Sequence, residues 1–448
     1  MSTESAIKPH FFSVDTIEKI PQLSLFSHSL IHEMRVVASV FPFRVNEYVV
    51  DELIDWSNVP EDPLFQLSFP QKGMLHPKHF DSISHLIRAG ATKDAIELAA
   101  QEIRRSLNPH PGNQWTENVP TVDGVRQTGF QHKYKNTALF FPAQGQTCYT
   151  YCTFCFRWAQ FVEINDQHFG SSDLNAMKAY LVQHRELTDI LFTGGDPMIM
   201  AAKVFGRYLS VLLDPELAHI RNVRIGTKVL AHWPQKLLDR CEGDHLFRVF
   251  DQLQEAGKHV TFMAHFNHWR ELATPMADQA LTKVRAAGLH IRTQGPVLRH
   301  INDSGEVWAK MWEMQVSKGL WPYYMFVERD TGPNRYFEVS LERAHEIYTT
   351  AAQSGSGLAR TARGPVMSTA MGKVEIIGLT EIAGEKIFVL RYVQSRDSLP
   401  SYQPFFAKYD PNATWLEQLR PAFATAFPSQ APSSLNDPAP INEVTILI

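Results

Sequence analysis

Cysteine is scarce in this 448-residue chain, which has only four. Three of them are bunched at Cys148, Cys152 and Cys155, so no disulfide framework is expected and the reducing cytoplasm is the consistent compartment. An excess of positive charge is also missing: 43 Lys and Arg face 47 Asp and Glu, a formal net charge of −4. That balance leaves no electrostatic footprint for nucleic acid or an anionic membrane. Long hydrophobic runs are absent as well. Thr137–Ala143 and Val260–Phe266 are strand-sized, too short to span a bilayer. The opening Met-Ser-Thr-Glu-Ser has no basic region leading into an apolar core, so no signal peptide is expected. What remains is an ordinary globular composition, 44% hydrophobic and 20% charged, long enough for a large catalytic domain with additions.

Residues 1 to about 130 read as a mainly helical extension. Asp81–Ala91 and Lys93–Leu107 have helical apolar spacing, Gly90 ends the first, and Asn108-Pro-His-Pro-Gly112 breaks the chain. From residue 131 to 335 short apolar strands alternate with helices. The strands are Thr137–Ala143, Asp189–Thr193, Asn222–Leu230, His259–Phe266, His290–Leu298 and Pro322–Glu328. The helices are Ser172–His184, Ala202–Leu212, Trp233–Asp239, Thr274–Ala287 and Glu306–Lys318. Such alternation predicts an α/β fold, a parallel sheet with right-handed crossovers curled into a partial or complete barrel. Residues 336–427 read as an α+β extension: a helix at Ser340–Ala352, a Gly/Ser/Arg-rich loop at Ser354–Gly364, and strands Lys373–Leu379 and Lys386–Val393 joined by a turn at Ala383-Gly-Glu-Lys386. The stretch from residue 428 to 448 is rich in Pro, Ser and Ala and reads as an extended or mobile tail.

The three bunched cysteines are spaced C-x3-C-x2-C. Thiolates are the usual ligands of iron–sulfur clusters, and three of them leave one iron of a four-iron cube open for chemistry. A structural zinc site is the competing reading, but it is closed and needs a fourth ligand. Cys241 stands alone in sequence and no second C-x-x-C pair follows, though a neighbouring histidine could substitute. The cysteines follow the first barrel strand, and parallel strands place their active sites at their carboxyl ends. Other strand ends carry polar motifs too: Thr193-Gly-Gly-Asp-Pro197, Arg224-Ile-Gly-Thr-Lys228, His265-Phe-Asn-His268 and Arg292-Thr-Gln-Gly-Pro-Val-Leu-Arg299, followed by Asn302-Asp303. Taken singly, each of these is more often a satisfied structural group than a ligand.

Taken together, these motifs resemble the radical S-adenosylmethionine (radical SAM) enzymes, and within them the lysine 2,3-aminomutase family. Tyr323-Tyr324 and Gly364-Pro-Val-Met367 are similar to late elements of that family. The resemblance covers about residues 105–335 well and continues less clearly to about 405. It implies a partial (β/α)6 radical SAM barrel, with a [4Fe-4S] cluster on Cys148, Cys152 and Cys155. S-adenosylmethionine would be held by Gly194, Gly195, Asp196, Thr227, His265 and Gln294, with Phe154 near the adenine. It also implies an electron donor such as flavodoxin or ferredoxin and a small carboxylate-bearing substrate, whose carboxylate Arg157 would bind. A homo-oligomer is left open.

The resemblance breaks at pyridoxal phosphate. The family's imine-forming lysine is Arg363 in this chain, which stays protonated and cannot form that bond. The arginine that binds the cofactor phosphate is Thr137 within Lys133-Tyr-Lys-Asn-Thr137. Both losses argue against pyridoxal phosphate. The basic set Arg157, Arg329, Arg360 and Arg363 would suit a substrate with extra negative charge, and Tyr134, Tyr323 and Tyr324 are candidate pocket walls. The expected function is hydrogen abstraction from such a substrate, for a rearrangement without pyridoxal phosphate. Two alternatives stand beside it: an aminomutase that carries pyridoxal phosphate on Lys373 or Lys228, and a non-catalytic metal-binding protein.

Overall fold

Apolar residues at every second position make the strands, and in the computed structural model eleven of these pair into one sheet. Residues 6–108, 118–122, 124–162, 169–395, 401–424 and 426–428 are described. β1 (Phe130–Tyr134) pairs antiparallel with β2 (Thr137–Phe140). From β2 the sheet runs parallel in chain order through β3 (Asp189–Phe192), β4 (Asn222–Thr227), β5 (His259–His265), β6 (His290–Val297), β7 (Trp321–Val327) and β8 (Arg363–Ser368). An antiparallel meander of β9 (Gly372–Ile382), β10 (Glu385–Ser395) and β11 (Pro404–Lys408) extends that edge.

Each parallel step is bridged by a helix: α1 (Leu174–Gln183), α2 (Ala202–Ser210), α3 (Gly243–Glu255), α4 (Pro275–Ala286), α5 (Gly305–Ser317) and α6 (Leu341–Ser354). Side-chain oxygens of Asp173, Thr274 and Ser340 accept from the otherwise unpaired first-turn amides of α1, α4 and α6, which fixes where those helices begin. In β4, Val223, Ile225 and Thr227 are buried while Asn222, Arg224 and Gly226 alternate on the other face. The core runs without a break from the N-terminal segment, through Met34, Val45 and Phe65, into Phe192, Ile225 and Phe262 of the sheet. The two margins of the parallel region touch, because Lys373 of β9 donates to the Tyr134 hydroxyl of β1 at 3.1 Å.

The structure corrects several expected boundaries. The strand anticipated at Asn222–Leu230 stops at Thr227, and Val229–His232 turns helical because Asp196 takes the Lys228 amide out of the ladder. The helix anticipated at Trp233–Asp239 shrinks to Gln235–Leu238, and the crossover is α3, whose Leu246, Phe250 and Leu253 face the core. The loop anticipated at Ser354–Gly364 ends in a seventh parallel strand, β8. The turn at Ala383-Gly384 is a two-residue hairpin with φ of 52° and 80°, and Gly90, at φ 67°, follows a helix that spans Pro77–Arg88. Apart from Pro428, the Pro/Ser-rich tail lies outside the described residues, as does the break at residues 108–112 beyond Asn108. Among the described residues, no helix is long and apolar enough to cross a membrane.

Candidate active site

The chain leaves β2 at Phe140 and turns through Pro142–Gln146 into the cysteine loop, which stands at the carboxyl end of the parallel strands. Contacts from far away in sequence hold this loop in place. Asn46 donates to the Tyr149 carbonyl at 3.3 Å, the Thr150 hydroxyl at 3.3 Å and the His232 carbonyl at 2.9 Å. Arg44 donates to Thr147 Oγ1 at 2.8 Å and to the Cys148 carbonyl at 3.3 Å, and its guanidinium lies over Phe11. The Thr153 amide donates to the Leu67 carbonyl at 2.9 Å. Sequence reasoning misses both Arg44 and Asn46; a lone Arg and Asn a hundred residues upstream carry no local signal.

The three thiols are half-buried and free of disulfides. Burial pushes Cys152 up to about 12 and Cys155 up to about 11, the latter opposed by the Arg157 amide and guanidinium; Cys148 is also raised by burial, with Asp196 adding to the effect. Thiols in this setting ionise when a metal takes the charge.

The glycines after β3 press against this same loop. A Cβ on Gly195 would stand 2.3 Å from the Thr147 carbonyl oxygen, and one on Gly194, at φ +146°, would stand 2.2 Å from Gln146 Nε2. The chain therefore passes flush with the residues just before Cys148, and the Asp196 amide donates to the Thr147 carbonyl at 2.7 Å. Asp196 is buried; it accepts from Thr227 Oγ1 at 2.7 Å and from the Lys228 and Met198 amides at 2.8 and 2.9 Å. Burial raises it to about 6 against these hydrogen bonds. Thr227 is thus tied to Asp196 across two strand ends.

Phe154 is buried, edge-on to the His265 ring at 5.9 Å. His265 is brought down to about 3, first by burial and then by the Lys228 charge, and its Nε2 is buried without a partner. Gln294 is its register neighbour on β6, Tyr324 follows on β7 and Arg363 on β8, so four site candidates form one row. Lys228 is engaged in a buried ion pair with Glu271, which also receives the Asn267 and His268 amides at 2.5 and 3.0 Å. Arg157 lies over Phe141 at 4.7 Å and Phe156 at 5.2 Å, lowered to about 10 by burial, with one terminal nitrogen buried and unpartnered. Buried side-chain atoms of Gln146, Gln160 and Asn267 also lack hydrogen-bond partners among the described residues, which natural interiors rarely allow without a ligand or water to meet them.

The basic residues divide. Arg329 joins Arg157 around Phe156, at 5.4 Å from that ring. Arg360 is exposed, and its guanidinium caps the Gly355 and Gln353 carbonyls. Arg363 is exposed at the start of β8 beside Tyr324, and Tyr134 is buried against Lys373. Thr137 is buried and accepts from Arg224 at 3.2 Å.

The sheet brings three thiols free of disulfides and a set of polar strand ends to one face, the arrangement expected of a radical SAM enzyme. No model of a known protein family matches the chain. A protein of Aquifex aeolicus named "Putative L-lysine 2,3-aminomutase" is 32% identical over 405 residues, covering 90% of this chain and 92% of that protein. The L-lysine 2,3-aminomutase of Methanococcus maripaludis is 24% identical over 77% of this chain and 68% of its own length. The glutamate 2,3-aminomutase of Clostridioides difficile is 26% identical over 47% of each chain. The chain belongs to the L-lysine 2,3-aminomutase family, and it is a radical SAM, isomerase-like enzyme.

Proposed function

We propose that the enzyme abstracts hydrogen from a small, carboxylate-bearing substrate and rearranges it without pyridoxal phosphate. When bound, the cluster and S-adenosylmethionine supply a 5′-deoxyadenosyl radical for that abstraction. Cys148, Cys152 and Cys155 would hold the cluster. Gly194, Gly195, Asp196, Thr227, His265 and Gln294 would orient S-adenosylmethionine, with Phe154 against its adenine and the unpartnered His265 Nε2 available to it. A reduced flavodoxin or ferredoxin would donate the electron. Residues 131–335 are read as a partial barrel, supported by the sequential strand order. The segment 1–130 is read as an N-terminal extension, and 336–427 as an extension that completes the active site, in keeping with the contact of Lys373 on β9 with Tyr134 on β1.

The observation that carries the substrate class is Arg157. A half-buried guanidinium whose one buried nitrogen lacks a partner among the described residues favours a carboxylate, whose two oxygens match its fork. A relative named for glutamate, an anionic amino acid, agrees with this. The buried Phe141 ring, 4.7 Å from the Arg157 guanidinium, lowers the local polarity and strengthens the pairing.

Residues at the two places where the family holds pyridoxal phosphate do not fit it. Arg363 cannot form an imine, and Thr137 brings no charge of its own where the family's arginine meets the phosphate, its hydroxyl accepting from Arg224 at 3.2 Å. Of the two substitute lysines, Lys228 is bound to Glu271. Lys373 pairs with no carboxylate among the described residues, and this favours it as the one alternative imine site. A non-catalytic metal protein would leave the strand-end motifs without a role. The test is anaerobic turnover of S-adenosylmethionine with reductant, in protein free of pyridoxal phosphate. Formation of 5′-deoxyadenosine supports the reading, and its absence with a fully loaded cluster refutes it.

A further inference from the structure

Cationic groups gather at a second place inside the sheet, where β9 returns against β1. The Lys373 ammonium donates to the Tyr134 hydroxyl at 3.1 Å and to Gln394 Oε1 at 2.7 Å, 4.5 Å from the Tyr134 ring and 5.5 Å from that of Tyr324. Lys133 lies 5.8 Å from the same Tyr134 ring and donates to the Thr369 carbonyl at 2.7 Å. Arg363 stands beside Tyr324 in register, and Arg224 approaches from β4. Arg224 has Asp189 at 3.5 Å, but no carboxylate pairs with Lys373 among the described residues. Burial, together with Lys133, Arg224 and Arg363, lowers Lys373 to about 7. Like charges gathered around the half-buried Lys373 repel one another, and an anion set among them offsets that repulsion. The row His265, Gln294, Tyr324, Arg363 spans three strand spacings, roughly 14 Å, and so links this cluster to the cofactor side of the site.

We propose that Lys373 and Arg363, with the Tyr134 and Tyr324 hydroxyls, receive a second anionic group of the substrate, a carboxylate or a phosphate. The inference rests on the proposed function, in which Arg157 takes the first. The substrate is then a bis-anionic molecule, and substrate charge fills the space that the family reserves for an aldehyde cofactor.

The test is calorimetric titration of the reconstituted protein, saturated with S-adenosylmethionine, using inorganic phosphate and, separately, glutarate. At least one probe binds wild type, and the tighter one tells phosphate from carboxylate. Lys373→Met and Arg363→Met each weaken it tenfold or more, Lys373→Arg stays within threefold, and the exposed Lys93→Met changes nothing. Far-UV circular dichroism checks folding, and if Lys373→Met does not fold, the exposed Arg363 still decides the matter. The proposal is overturned if neither probe binds or if the folded variants bind as wild type. It is also overturned if pyridoxal phosphate gives a borohydride-fixed adduct mapped to Lys373. Loss of 5′-deoxyadenosine formation with intact anion binding would strike the proposed function and leave this inference standing.

Discussion

Replacing Asn46 with leucine tests whether the N-terminal segment holds the cysteine loop. Asn46 is fully buried; its amide nitrogen serves the Tyr149 and His232 carbonyls and the Thr150 hydroxyl, and its oxygen accepts from the Val49 amide at 3.1 Å. Leucine has a similar volume but none of these partners, so little cavity forms and the polar loss dominates. Each buried group left unsatisfied costs about 1–3 kcal/mol. The two carbonyls keep a second lone pair and relax in part, so Asn46→Leu is expected to cost on the order of 2–4 kcal/mol. A folded chain has only about 5–15 kcal/mol in hand. The loss is also local, so the loop should loosen before the sheet does. Urea unfolding of anaerobically reconstituted protein, followed by cluster absorbance and far-UV circular dichroism, reads both effects. Bleaching should precede loss of secondary structure in the variant, with fewer irons per chain. Wild-type iron content, with a midpoint shift worth less than about 1 kcal/mol, would refute the reasoning.

Gly195→Ala drives a Cβ into the Thr147 backbone, at 2.3 Å from its carbonyl oxygen, so iron loading measured after reconstitution should fall severalfold while Gly357→Ala, at an open position, loads normally. Glu271→Gln leaves the buried Lys228 ammonium without its counter-charge and should cost about 3–5 kcal/mol in denaturant unfolding. Burial lowers His268 to about 3, below its unfolded value near 6.5, so its stability contribution is full above 6.5 and is lost as pH falls toward 3. Between pH 7 and 5 that amounts to roughly 2 kcal/mol, and His268→Gln should show a correspondingly shallower decline in urea midpoint across this range.

The cysteines, the parallel strands and the strand-end motifs are legible because each is local: spacing, period and the residue that follows a strand. What escapes depends on distance along the chain. Asn46 and Arg44 matter only because folding brings them to Tyr149 and Cys148. β8 reads as loop since Arg363-Gly-Pro opens it with two residues that strands avoid, and only its pairing with β7 makes it a strand. α3 does not stand out because Cys241-Glu-Gly-Asp offers no clear cap, although its apolar face is well spaced. The four arginines read as one basic set in sequence. In space Arg157 and Arg329 share Phe156, Arg360 turns to backbone carbonyls, and Arg363 sits beside Tyr324. Gly194 and Gly195 read as ligand contacts by their place after a strand; the structure adds their close fit against Gln146 and Thr147.

The central claim is that three protein thiolates leave one iron open to S-adenosylmethionine. Electron paramagnetic resonance of the dithionite-reduced protein, recorded before and after addition of S-adenosylmethionine, tests this most directly. The account predicts a [4Fe-4S]⁺ signal whose g-values shift on addition, and which vanishes in Cys148→Ala, Cys152→Ala or Cys155→Ala. A fully loaded cluster whose spectrum is unchanged by S-adenosylmethionine, or a site that retains zinc in place of iron, would contradict it.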